Sequence, residues 1–150
     1  MTTYVQSSRS ARAPWHLWVV GALALLWNGF GVYDFIMSMT QGEPYLRSMG
    51  MTEAQIAYFN AMPSWTWVAW IVGVGGGFAG AILLLLRRRW ALHAFVLSLL
   101  GLLASWVYTF ALSNGAEVMG AQLPMQFVIM GVCLALAAYA WWVTRRGLLR

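Results

Sequence analysis

The chain has 150 residues, 61% of them hydrophobic and only 9% charged, which excludes an ordinary soluble domain and points to one integral membrane domain. Its formal charge is +5 and every basic residue besides histidine is arginine, so Schiff-base chemistry has no lysine to use. The charges sit at the ends of apolar runs, where they act as topology signals rather than as a nucleic-acid surface. The single cysteine, Cys133, lies within an apolar run and excludes both an intrachain disulfide and a cysteine metal cluster.

Residues 1–14 are small, polar and basic and read as a short cytoplasmic tail. The apolar stretch that follows, about 17–39, is too long for a signal-peptide h-region and lacks a small-residue cleavage site, so an uncleaved first span is expected. Residues 40–64 form a polar connection in which Thr52 and Gln55 match a capping box, and a short helix through Ile56, Tyr58 and Phe59 should run as far as Met62, before Pro63. Its aromatic content suggests an interfacial position, and Trp65, Trp67 and Trp70 open the second span as an aromatic belt. The spans 65–86 and 90–112 flank Arg87, Arg88 and Arg89, each long enough for a hydrocarbon core of roughly 30 Å at about 1.5 Å per residue. A turn-rich loop, 113–124, leads to a last span at 125–143, closed by Trp141, Trp142, Arg145, Arg146 and Arg150. No stretch alternates like a barrel strand.

The arginines set the expected orientation. With the N-terminus cytoplasmic, that side holds Arg9, Arg12, Arg87, Arg88, Arg89, Arg145, Arg146 and Arg150, and the opposite side holds Arg47 alone. Asp34, Glu43, Glu53 and Glu117 fall on or near that opposite side. The expectation is an all-α, up-and-down bundle of four membrane helices with both termini cytoplasmic and a short interfacial helix in the first extracytoplasmic loop.

Helices associate in lipid through close approach at small residues. The second span offers Ala69, Gly73, Gly77 and Ala81 at four-residue spacing, with Gly76 and Gly80 beside them; Gly101, Ser105 and Thr109 repeat the spacing on the third span, and Gly21, Ala24, Asn28 and Gly31 make a stripe on the first. Gly75 to Gly80 also fits G-x-G-x-x-G. A dinucleotide fingerprint needs a strand before it and an exposed helix start after it, so inside an apolar run the glycines are read as a packing face.

Few residues are candidates for function. Asp34, in the outer third of the first span, must be paired, hydrated or protonated. Two readings stay open: a proton or solute site opening outward, or an interfacial acid reaching water or Arg47. Tyr108, Thr109, Gln126 and Arg47 are its expected partners. Asn28, at mid-span, is read as interhelical glue or as a solute ligand, about 9 Å along the axis from Asp34 and on a different face. Trp27 and Trp106 lie deeper than a belt and are read as ordinary packing in preference to rings that stack on a sugar. His16 and His93 map to the cytoplasmic ends of their spans and are read as interfacial anchors rather than haem ligands. No metal or cofactor is expected, and no nucleophile, base and orienting acid occur together.

Several segments carry a family resemblance: Trp27-Asn28-Gly29-Phe30-Gly31-Val32, the Pro63-Ser64-Trp65 opening of the second span, Gly76-Gly77 through the Leu83 to Leu86 run into Arg87-Arg88-Arg89-Trp90-Ala91, and Ser98-Leu99-Leu100-Gly101. In these the chain resembles an uncharacterised family of small four-span bacterial inner-membrane proteins whose members often bear the automatic label "sugar transporter". The resemblance covers most of the chain beyond about residue 15 and implies a fold more firmly than an activity. Two non-enzymatic roles follow as expectations. One is an accessory subunit or homo-oligomer acting through helix packing in the bilayer, with itself or another membrane protein as partner. The other is a small transporter of a neutral solute such as a sugar, with a cavity lined by Asn28, Asp34, Trp106 and Tyr108.

Overall fold

The computed structural model describes residues 13–150, and among these every regular element is helical. The order is α1 (Trp15–Gln41), α2 (Glu43–Ser48), α3 (Glu53–Asn60), α4 (Ser64–Leu85), α5 (Trp90–Val107) running into a π-helical turn (Tyr108–Leu112), α6 (Gly115–Met119), a 3-10 turn (Gly120–Gln122) and α7 (Leu123–Arg145). Four stretches are long and apolar enough to cross a membrane: α1, α4, α5 with its π turn, and Gly115–Arg145, which ends in α7. The limits of α1, α4, α5 with its π turn, and α7 differ by no more than two residues from those read off the hydropathy. The polar tail with Arg9 and Arg12 lies outside the described residues.

Prolines and caps set the boundaries. Pro63 in extended conformation starts α4, and Pro124 falls in the first turn of α7, where a missing N–H costs no helical bond. The Thr52 and Gln55 capping box is present, but α3 stops at Asn60 rather than at Met62. The helix α2 was not foreseen; Gly42, at φ 59, turns the chain out of α1, and Pro44 stands in the first turn. At the arginine turn, Arg87 adopts φ 57 while its N–H donates to the Leu84 carbonyl and that of Arg88 to the Leu83 carbonyl. This is a Schellman cap closed by an arginine where glycine is usual.

The four long helices pack in chain order. α4 lies along α5, α1 along the other side of α4, and α7 along α5, while α1 and α7 share no extended contact. Small residues make the close seams. A Cβ on Gly101 would stand 2.6 Å from the Ala69 carbonyl oxygen and the Gly73 nitrogen, and one on Gly76 would stand 3.0 Å from the Ala94 oxygen and the Ser98 nitrogen. Gly73, with nothing nearer than 3.7 Å, is in ordinary contact with α5. Gly77 receives the Asn28 amide of α1, so that a side chain there would collide with Asn28 Oδ1. Gly75, the first glycine of the G-x-G-x-x-G match, faces open space. Gly76, Gly77 and Gly101 thus lie in close contacts inside the chain, whereas Ser105 and Thr109 line a cavity.

The core sits at the arginine end. Leu17, Ala24, Ala81, Leu84, Ala91, Phe95, Ala140, Val143 and Leu149 form one buried cluster drawn from all four long helices and the chain's last residues. The chain turns back after α7 to make it: Arg150 and Arg87 through Arg89 exchange backbone hydrogen bonds of 3.0 and 2.6 Å, and the Arg87 and Arg89 guanidinium groups donate to the Leu148 and Leu149 carbonyls. Leu149 is thereby 1% exposed. Elsewhere the outer surface is apolar, with Leu26 and Phe30 of α1 72% and 60% exposed, the reverse of a soluble bundle.

Candidate functional site

At the other end the helices part. Between α1, α4, α5 and α7 lies a half-open cavity of about 680 Å³, within the range of roughly 300–1,000 Å³ common for small-molecule sites. The helix register places its walls. Gly31 meets Val74, Gly73 meets Gly101, and Ser98 of α5 lies beside Cys133 of α7. By helical rise, Asp34, Trp70, Ser105 and Gln126 therefore stand at about one level, and all four line the cavity.

Among the described residues Asp34 is the only acidic side chain on the wall, and no arginine, histidine or glutamate joins it. Its partner is Tyr45 of α2, whose hydroxyl donates to Asp34 Oδ1 at 2.8 Å. Burial first, and then the bond to the carboxylate, push the Tyr45 phenol up to about 12. The expected Arg47 partner is engaged elsewhere, at 3.0 Å from Glu53 and 3.4 Å from Glu43 on the exposed surface. Tyr108, Thr109 and Gln126 share the cavity with Asp34, without a hydrogen bond to it among the described residues.

Aromatic rings supply much of the remaining wall. Trp67 and Trp70 stack 5.8 Å apart and Phe59 of α3 packs on both, at 5.5 and 5.7 Å. Phe35, next to Asp34, meets Trp70 edge-on at 5.1 Å. Two of the three tryptophans read as an outward belt thus face the cavity, and Trp65 packs on the Tyr108 ring at 5.8 Å. The π turn brings two successive residues, Tyr108 and Thr109, to the wall. The Ser113 hydroxyl donates to the Tyr108 carbonyl at 2.7 Å.

Asn28 reaches the cavity floor, where its Nδ2 donates to the Ala24 carbonyl at 2.8 Å. The glue reading changes accordingly: the amide bonds its own helix and touches α4 by packing against Gly77. Ser98 ties α5 to α4 by donating to the Gly73 carbonyl at 2.5 Å. Trp106, expected with Asn28, Asp34 and Tyr108, does not line the cavity. Its ring lies against Phe110 and Phe127 at 5.1 and 5.3 Å, and its buried Nε1 has no hydrogen-bond partner.

The loops at this end close on one another. Gln55 donates to the Val118 and Met119 carbonyls at 3.3 Å, and Tyr58 bonds Ser113 at 2.9 Å, so α3 ties the first loop to the second. At the arginine end, His16 bonds the Tyr139 hydroxyl at 2.6 Å and His93 stacks on Trp90. Arg145 and Arg146 cover Trp141 and Trp142 at 4.8 and 4.3 Å. Among the described residues no group of three His, Cys, Asp or Glu is placed to hold a metal ion.

No known family, curated protein or solved structure matches this chain. The site must be read from its own geometry.

Tyr45, Ser38, Thr66, Trp67 and Trp70 are among the wall residues that sequence reasoning did not assign to a site. A signal existed for the tryptophans, since Trp70 is adjacent to Ala69 and three residues before Gly73, hence beside the inward small-residue face. Nothing in the residue pattern marks Tyr45 as the partner of Asp34.

Proposed function

We propose that the protein is a non-enzymatic, multi-pass membrane protein that binds a small solute in the cavity beside Asp34 and carries it across the bilayer. The observation that carries this reading is a cavity of about 680 Å³ open at the acidic end and backed at the arginine end by a buried core. Such one-ended access is what a carrier presents in one of its states. Gly76, Gly77 and Gly101, from the small-residue stripes that favoured an accessory subunit or homo-oligomer, are occupied by contacts within the chain, which leaves the cavity as the feature in need of a purpose.

The orientation and location belong to the same proposal. Eight arginines against one, sorted by end, support a cytoplasmic arginine end with both termini inside, and the resemblance supports a bacterial inner membrane. The cavity then opens outward, with α3 at the interface over its mouth. Among the described residues the wall carries an acid and no arginine or histidine, which favours uncharged or positively charged solutes over anions.

Uptake into proteoliposomes tests the reading. Solute flux that falls on Asn28→Ala and Asp34→Asn is the expected result; protein that moves neither labelled sugars nor small neutral or cationic solutes would remove the transport reading. Cysteines at Glu53 and Arg88 in a Cys133→Ser background should label from opposite sides of the membrane.

A further inference from the structure

We infer that the solute is a monovalent organic cation with an apolar body, held between the Asp34 carboxylate and the rings of Trp67, Trp70 and Tyr108. This deepens the solute-binding reading above and rests on it.

Among the described residues the wall has one acid and no arginine or histidine. Arg47, at that end, is held by Glu43 and Glu53 on the surface. Among the described residues Asp34 receives one hydrogen bond, from a phenol to Oδ1, and no ion pair. A phenol hydrogen bond leaves the acid without a counter-ion, and Asp34 is half-buried on the cavity wall, where a ligand can reach it. A cationic ligand supplies that counter-ion. Trp67, Trp70 and Tyr108 line the same cavity, and aromatic rings attract alkylammonium groups through the negative side of their quadrupole. Trp67, Trp70 and Phe59 are locked against one another at 5.5 to 5.8 Å, so the surface is assembled before a ligand arrives. Glu43, Glu53 and Glu117 lie in the loops at the open end and favour approach of positive charge.

The wall also carries hydroxyl and amide groups, Ser105, Thr109, Gln122 and Gln126 among them, that can pair with a polar ligand; the carboxylate and the rings in the same cavity are what favour a cation over a sugar.

The test is calorimetric titration of the full chain, in nanodiscs of uncharged lipid, with benzyltrimethylammonium, its uncharged isostere neopentylbenzene and the anion benzenesulfonate. The cation should bind tightest, and Asp34→Asn should weaken it about 10-fold or more while leaving the isostere unchanged. Asp34→Glu should restore part of the loss. Equal binding of cation and isostere, in the wild type and in Asp34→Asn, would overturn the cationic assignment and leave the cavity reading standing. Loss of both ligands in Asp34→Asn would show that the acid acts through the fold, and would overturn it too. Binding of none of the three probes would overturn both readings.

Discussion

The arginine end and the acidic end are built from the same four long helices and differ in the size of the side chains between them. At the arginine end, Ala24, Ala81, Ala91 and Ala140 let the helices close, and Leu17, Leu84, Val143 and Leu149 fill what remains. At the acidic end, Phe35, Phe59, Trp67 and Trp70 occupy the α1, α3 and α4 side of the bundle, α1 has no extended contact with α7, and a cavity is left. The α4–α5 seam stays close into the cavity half, at Gly101 against Ala69 and Gly73, and the opening lies between α1 and α7, with large rings on the α1 and α4 side. A bundle that is tight at one end and open at the other goes with where the sequence places small residues and large rings.

Substitutions at the tight seam should break this arrangement most severely. Gly101→Leu drives a side chain into the Ala69 and Gly73 backbone, where nothing can rotate away, and should cost about 3 kcal/mol or more, read as a large fall in thermal stability in detergent. Gly75→Leu, facing open space on the same α4–α5 hairpin, is the control and should be nearly neutral. Next in size, Leu149→Ala should cost about 2–4 kcal/mol, because it empties a fully buried position. Met49→Ala, at a half-exposed cavity position, should cost under about 1 kcal/mol.

Smaller effects sharpen the contrast. Asn28→Ala should cost about 1 kcal/mol or less, since the amide bonds its own helix, and a greater loss would show that it clamps α1 to α4. At the cavity mouth, Tyr45 should remain un-ionised in a spectrophotometric titration until about pH 12, after ordinary tyrosines have ionised near 10. Its folded value is raised, so its contribution to stability is fully present below pH 10 and is lost as pH climbs to about 12. Asp34→Asn should bring the value only part of the way down, because burial is the larger cause.

Much of this architecture was legible in the residues. Four apolar runs of spanning length, the capping box at Thr52 and the glycine ladder of α4 are local patterns that survive into the structure because nothing in the tertiary fold competes with them. The site was legible only in part. Asp34, Asn28 and Tyr108 stand out as polar groups in apolar runs, whereas their pairings depend on how the chain returns. Tyr45 reaches Asp34 because Gly42 reverses the chain into α2, a step no hydropathy pattern encodes. The widened turn at Tyr108 is hidden inside a continuous apolar stretch, and no pattern marks Leu148 and Leu149, set among arginines, as core residues before the tail folds back on Arg87. Trp106 misled for the same reason: depth is readable from sequence position, while the face a residue presents depends on its neighbours.

The central claim is that solvent and solute reach the bundle from the acidic end alone. Single cysteines at Gln126, on the cavity wall, and at Ala140, in the closed core, placed in a Cys133→Ser background, test it through their rates of reaction with a membrane-impermeant thiol reagent applied from each side. The structure predicts rapid modification of Gln126→Cys from the side that also labels a cysteine at Glu53, and none of Ala140→Cys from either side. Equal modification of both, or entry to Gln126→Cys from the arginine side, would contradict it.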